Sequence, residues 1–215
     1  LIIFLIPTRK IKRNYFFEGT IIKVLQNKNF FIILISCSLI QGSHAMYYAF
    51  SAILWRKYEI SFSLIGLLWA WGIVAEIIFF YIIDKLRINR NFVLIIFIAS
   101  FLSSIRWLLS FFFTDFPKLL LVQTLHAVSF GLTHYIMMYF INTNMPVDEK
   151  LIAQSLYHSI SSGIIMTLLT LICSWSFIYY SNGEGYLVMV FSCLLSGAII
   201  FFGNFNEKNE NSKKK

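Results

Sequence analysis

The sequence predicts an all-α, polytopic membrane protein with six membrane-spanning helices. Three observations carry this. The 215 residues are 58% hydrophobic and only 13% charged, with a mean hydropathy of +0.73, whereas soluble domains carry about 25% charged residues. The apolar residues gather in six long runs, each near or above the roughly 20 residues that a helix needs to cross a bilayer. The polar breaks between those runs sort by charge into two sides. Composition excludes a soluble globular domain and a disordered chain. The net charge of +8 fits basic loops held at one membrane face rather than a nucleic-acid footprint, so a bilayer and not a nucleic acid is the expected partner.

Leu1 to Ile6 is an apolar stretch too short to span, closed by Pro7, and without an initiator Met. It reads as the end of a preceding transmembrane helix, which makes the chain an expected fragment. Residues 7–28 form a basic connection with Arg9, Lys10, Lys12, Arg13, Lys23 and Lys28. The six-helix transmembrane half-domain is expected over 29–203, with spans at 29–55, 61–83, 92–113, 119–142, 151–180 and 185–203. Turn and charge signals separate them: Arg56-Lys57-Tyr58-Glu59, Asp84 to Asn91, Thr114-Asp115-Phe116-Pro117, Asn144 to Lys150, and Ser181-Asn182-Gly183-Glu184. A polar tail, 204–215, ends in Lys213-Lys214-Lys215.

With the connections placed alternately on two sides, one side holds 14 Lys and Arg and the other holds 3. Positive residues favour the cytoplasm, so the first loop and the C-terminus are expected there. Arg106 belongs to neither side, because it lies inside the third span. Cys37, Cys173 and Cys193 each sit in an apolar run and read as packing residues, so no disulfide, metal or cofactor is expected.

Charges inside a membrane cost at least ~2.5 kcal/mol each and mark functional interiors. Glu76 in the second span and Arg106 in the third are the two here. Helical spacing places Gln41, His44, Tyr48 and Ser51 on one face of the first span. It likewise groups Gln123, His126 and His134 on the fourth, with Phe130 interrupting the stripe. Ser103, Arg106 and Ser110 share a side of the third, and Gln154, His158 and Ser161 a side of the fifth. Four polar stripes and a buried carboxylate point to a common aqueous cavity. The sixth span has no such stripe and reads as peripheral. Gln41-Gly42-Ser43-His44 and Ser161-Ser162-Gly163 read as helix interruptions of the kind that frame transporter sites. An enzyme would need a nucleophile–base or metal constellation, and the residues offer none.

The run Gln41 to Ile53 resembles the seventh helix of the bacterial 3-phenylpropionic acid transporter group, in the major facilitator superfamily near the lactose permease type. Gly72-Ile73-Val74-Ala75-Glu76, Ile105-Arg106-Trp107 and Val122-Gln123-Thr124-Leu125-His126 resemble the next three helices, in order. The resemblance covers about residues 22 to 203. Asp84 to Arg90 is weakly similar to the superfamily's acidic-basic loop motif, with Arg87 in place of the usual glycine.

This resemblance implies the C-terminal half of a twelve-helix fold. Residues 7–28 would be the cytoplasmic loop between halves, and a six-helix N-terminal half would be the missing partner. It implies a secondary active transporter, a proton symporter moving a small organic solute across the bacterial inner membrane by alternating access. An aromatic carboxylate is the candidate solute. Arg106 and His126 match an arginine and a histidine that line the lactose-type cavity, and Glu76 lies about one turn from its carboxylate. The glutamate three residues after that histidine, which carries the proton there, is Ser129 here. Expected substrate and proton-pathway residues are therefore Gln41, His44, Tyr48, Glu76, Arg106, Gln123, His126 and His134. Arg106 is expected either as the counter-ion of Glu76 or as a clamp for a substrate carboxylate. The competing expectation is a truncated, non-transporting remnant, or a half-transporter needing a separate N-terminal half.

Overall fold

The computed structural model describes residues 17–83, 85, 91–180, 182–203 and 205, with side chains from residue 21 on. The expectations for 1–6, most of the 84–91 connection and the 204–215 tail lie outside the described residues. Six helices are long and apolar enough to cross a membrane: Lys28–Lys57, Phe62–Ile83, Phe92–Phe112, Phe116–Asn144, Lys150–Tyr180 and Gly185–Phe202. They are the six runs read from the sequence, displaced by at most a few residues at their ends.

Local chemistry sets those ends. Asn27 and Asn91 cap the first and third spans, each accepting from the amide three residues on, Phe30 N at 3.1 Å and Leu94 N at 2.8 Å. Asp115 caps the fourth, accepting from Lys118 N at 3.2 Å, with Pro117 in the first turn where its missing N–H costs nothing. The cap and the Lys118 ammonium 2.8 Å away hold the Asp115 carboxyl below its ordinary range. Among the described residues, positive φ is confined to two turns between spans, Glu59 at 62° and Gly183 at 124°.

Before the first span, Phe17–Gln26 forms a short helix within the basic connection. It docks through Val24, which is fully buried. Lys23 Nζ meets Glu149 Oε1 at 2.6 Å, tying this helix to the start of the fifth span.

The first span is central. Its apolar window is 83% buried, against 17% for the second and fifth spans. It breaks at Gly42-Ser43-His44, as expected. Ser43 N bonds back to Leu39 O and His44 N to Gln41 O, ending one helix, and Ala45–Lys57 begins the next. Gly42 is required there. A Cβ would sit 2.6 Å from Ile165 Cγ2 and 3.2 Å from Met166 N of the fifth span. The second span buries Ile65, Leu68, Gly72 and Ala75, a spacing that forms one stripe, against the fourth.

The sixth span corrects an expectation. It is not peripheral, because one of its faces packs tightly on the third and first spans. Ser192 Oγ donates to Leu39 O at 3.0 Å and Ser196 Oγ to Ser36 O at 2.7 Å. Ser100 Oγ donates to Cys193 O at 2.5 Å, and a Cβ on Gly197 would lie 2.7 Å from that hydroxyl. Small residues bring these backbones together. The opposite face, with Leu187, Phe191, Leu194 and Phe201, is exposed to the lipid region.

The fourth and fifth spans each widen into a π-helical segment, Ala127–Leu132 and Ser159–Ile165. Such segments recur at functional sites. Here they flank the cavity described next.

Candidate functional site

A cavity of about 580 Å³ opens among the first, second, fourth and fifth spans. Its polar lining comprises Gln41, Tyr48, Glu76, His134, Tyr157, His158, Ser161 and Ser162, and Phe80, Phe130 and Met166 complete the wall. That volume lies within the range of small-ligand sites. The two least buried spans, the second and fifth, border it.

Behind the cavity lies a sealed polar layer centred on Arg106, which is 0% exposed. Its Nη1 donates to Ser129 Oγ at 2.5 Å and to His44 Nε2 at 3.1 Å, and its Nη2 to Gln123 Oε1 at 3.0 Å. The guanidinium carbon lies 4.3 Å from the Trp107 ring centroid and 5.1 Å from that of Tyr47. Arginine only donates, so His44 Nε2 accepts, and Nδ1 carries the hydrogen and donates to Gln41 O at 3.0 Å. The helix break thus fixes the imidazole tautomer, because Gln41 O is a carbonyl at the end of the first half-helix. Trp107 Nε1 donates to Ser43 Oγ at 2.8 Å and locks the same break from the third span.

One expectation is corrected. Glu76 is not the counter-ion of Arg106. Its carboxylate lies 3.7 Å from His126 Nε2, and every hydrogen-bonding partner of Arg106 is uncharged or an imidazole. Gly131 lets the second and fourth spans pack closely beside this pair, whereas a side chain at Gly72 would be in ordinary contact. A Cβ on Gly72 would touch His126 at 3.5 Å, and one on Gly131 would lie 3.0 Å from Phe79 and 3.5 Å from Glu76 Cγ.

The eight expected residues therefore divide in two. Gln41, Tyr48, Glu76 and His134 line the cavity. His44, Arg106, Gln123 and His126 form the buried layer, with His126 joining it to the cavity through Glu76. Phe130 does not merely interrupt the fourth-span stripe. Its ring stacks on His126 at 5.3 Å and on His134 at 6.2 Å, so it is part of the wall. Sequence reasoning named His158 only as one of a polar group and passed over Tyr157. The signal for Tyr157 was its position beside His158, one residue off the marked stripe, and its ring neighbours those of His158 and His134.

Six apolar helices around a cavity, with a buried cation behind it and a carboxylate on its wall, define a polytopic membrane protein. A model of the MFS_1 like family matches residues 7–175, and the chain belongs to that family. The chain is also 32% identical over 145 residues to the probable 3-phenylpropionic acid transporter of Escherichia coli (strain K12). That alignment takes in 67% of this chain and 38% of the relative, so the chain spans well under half of the relative's length.

Proposed function

We propose that this chain forms one six-helix wall of a secondary active transporter, which moves a small organic solute across the bacterial cytoplasmic membrane together with a proton. The observation that carries this reading is the cavity itself. An open space of about 580 Å³ stands inside an apolar bundle, with Glu76, His134 and His158 set in a mostly apolar wall. Such groups are costly in a membrane and are kept for solute and proton pathways. The family is one of transporters rather than enzymes, which supports the same reading.

The second and fifth spans, only 17% buried, border the open side. A separate six-helix half would cover them, and the two halves would rock about the cavity to give alternating access. The name of the relative makes an aromatic carboxylate the candidate solute. Tyr48, Phe80 and Phe130 give the wall an aromatic lining suited to such a body. Two negative charges in one small, poorly screened cavity repel, so a bound carboxylate and an ionised Glu76 exclude one another. The solute then enters with a proton on Glu76, and His126 at 3.7 Å is the adjacent group able to exchange it. In this scheme Arg106 gives the cavity floor a fixed positive charge. The basic connections support a cytoplasmic C-terminus.

The test is uptake of labelled 3-phenylpropionate into membrane vesicles carrying the protein, with and without an inward proton gradient. Accumulation that collapses with a protonophore supports the proposal. Gradient-independent entry, or none for this or related organic solutes, contradicts it.

A further inference from the structure

Three side chains at the fifth-span end of the cavity form a cluster with no assigned role. His134 lies with its ring centroid 5.8 Å from that of His158 and 6.1 Å from that of Tyr157, and Tyr157 and His158 are 5.3 Å apart. All three line the cavity. The Tyr157 residue is 1% exposed, and its hydroxyl has no hydrogen-bond partner. Gln41 stands beside it, 5% exposed, with its own Oε1 also unpaired. An unpaired hydroxyl buried this deeply is expensive unless a ligand completes it.

The donor inventory says what that ligand is. The Tyr157 hydroxyl offers one O–H, and each imidazole offers one N–H when neutral and two when protonated. Three side chains able to donate gather here from two helices, and no carboxylate belongs to the cluster. The carboxylate on the cavity wall, Glu76, lies on the second-span side, 3.7 Å from His126 Nε2. Arg106, the obvious anion clamp from sequence, is 0% exposed, and both its Nη atoms already donate to neighbouring side chains.

We propose that His134, Tyr157 and His158 form the anion-recognition end of the cavity and take the carboxylate of a small aromatic acid. The body of the acid lies along Phe130, Phe80 and Tyr48. Gln41 stands beside Tyr157, where its amide N–H can donate to the phenol oxygen and leave the single Tyr157 O–H for the anion. The assignment rests on the transporter reading above, and it moves the carboxylate from Arg106 to this cluster. The opposite chemistry is also conceivable in one cavity, since Glu76 among three aromatic rings suits an organic ammonium. Three side chains able to donate against one carboxyl favour the anion.

The experiment is binding, by equilibrium dialysis on the detergent-purified protein, of three ligands of one shape: 3-phenylpropionate, its amide and 3-phenylpropylamine. The acid is expected to bind best. Tyr157→Phe, which keeps the ring and removes only the donor, and the double variant His134→Gln/His158→Gln should each weaken the acid about tenfold or more. Amide binding should stay within about twofold, which shows that the cavity is intact. Unchanged affinity for the acid in both variants overturns the proposal, as does wild-type preference for the amide or the amine, or no binding of the acid. Vesicle uptake separates the two readings. Uptake of a neutral or cationic solute without binding of the acid leaves the transporter standing and removes this site. Binding of the acid that depends on the cluster, without uptake, does the reverse.

Discussion

Arg106 Nη1 donates to the Ser129 hydroxyl at 2.5 Å, in a layer that is closed to solvent. A serine therefore stands where the resemblance to the lactose permease type would place a proton-carrying glutamate. The buried guanidinium is held by a hydroxyl, a neutral amide and an imidazole, with no carboxylate partner. Ser129→Ala removes one of the two acceptors on Nη1 and leaves one of its N–H groups unpaired, with His44 still accepting from the other. A loss of about 1.5–3 kcal/mol is expected. Thermal unfolding in detergent measures it, and an unchanged midpoint would mean that Arg106 does not depend on this contact.

Arg106→Lys keeps the charge and is still expected to fail. The three acceptors lie around two separate nitrogens, His44 and Ser129 on Nη1 and Gln123 on Nη2. A lysine has one nitrogen and cannot reproduce that fork. Uptake should fall by roughly tenfold or more, with protein level reduced less than activity. Wild-type uptake in this variant would show that charge alone suffices.

Gly42→Ala tests the helix break. Its Cβ would meet Ile165 Cγ2 at 2.6 Å, which a side-chain rotation relieves, and Met166 N at 3.2 Å, which it does not. The first and fifth spans should separate, at a cost of about 1–3 kcal/mol. Because Gln41 and Met166 both line the cavity, solute affinity should drop along with the unfolding temperature. A fall in only one of the two would uncouple the break from the site.

The short helix Phe17–Gln26 is tied down by Lys23 and Glu149. The neighbouring Glu149 carboxylate, by hydrogen bond and charge, raises the Lys23 ammonium above its ordinary 10.5. A raised lysine stabilises the contact fully below that value and loses it only as pH climbs past it. The attachment is therefore complete at neutral pH and weakened by salt. Glu149→Gln should speed amide hydrogen exchange across Phe17–Gln26 at pH 7, with little change in the spans. Unchanged exchange would assign the docking to Val24 alone.

Much of the fold was legible because span length and charge asymmetry are one-dimensional signals. The six runs, the break at Gly42-Ser43-His44 and the inward faces of the first and fourth spans all follow from apolar length and a 3.6-residue period. What the period could not supply was depth. Gln41 and His44 share a face, yet one lines the cavity and the other is sealed behind it with Arg106. Opposite charges invite pairing on paper, but Glu76 reaches His126 instead, because Gly131 lets the second span pack closely against the fourth. Tyr157 lay outside the counted stripe because its ring neighbours His158 and His134 rather than following the Gln154–His158–Ser161 spacing. The sixth span looked featureless because serine, cysteine and glycine signal close packing only once a partner helix is known.

Glu76→Gln tests proton coupling most directly. The variant keeps the size and polarity of the side chain but cannot carry the proton. In vesicles with an inward proton gradient it should fail to accumulate labelled solute, while exchange of internal for external solute continues at a rate near wild type. Accumulation against the gradient by Glu76→Gln would contradict the account.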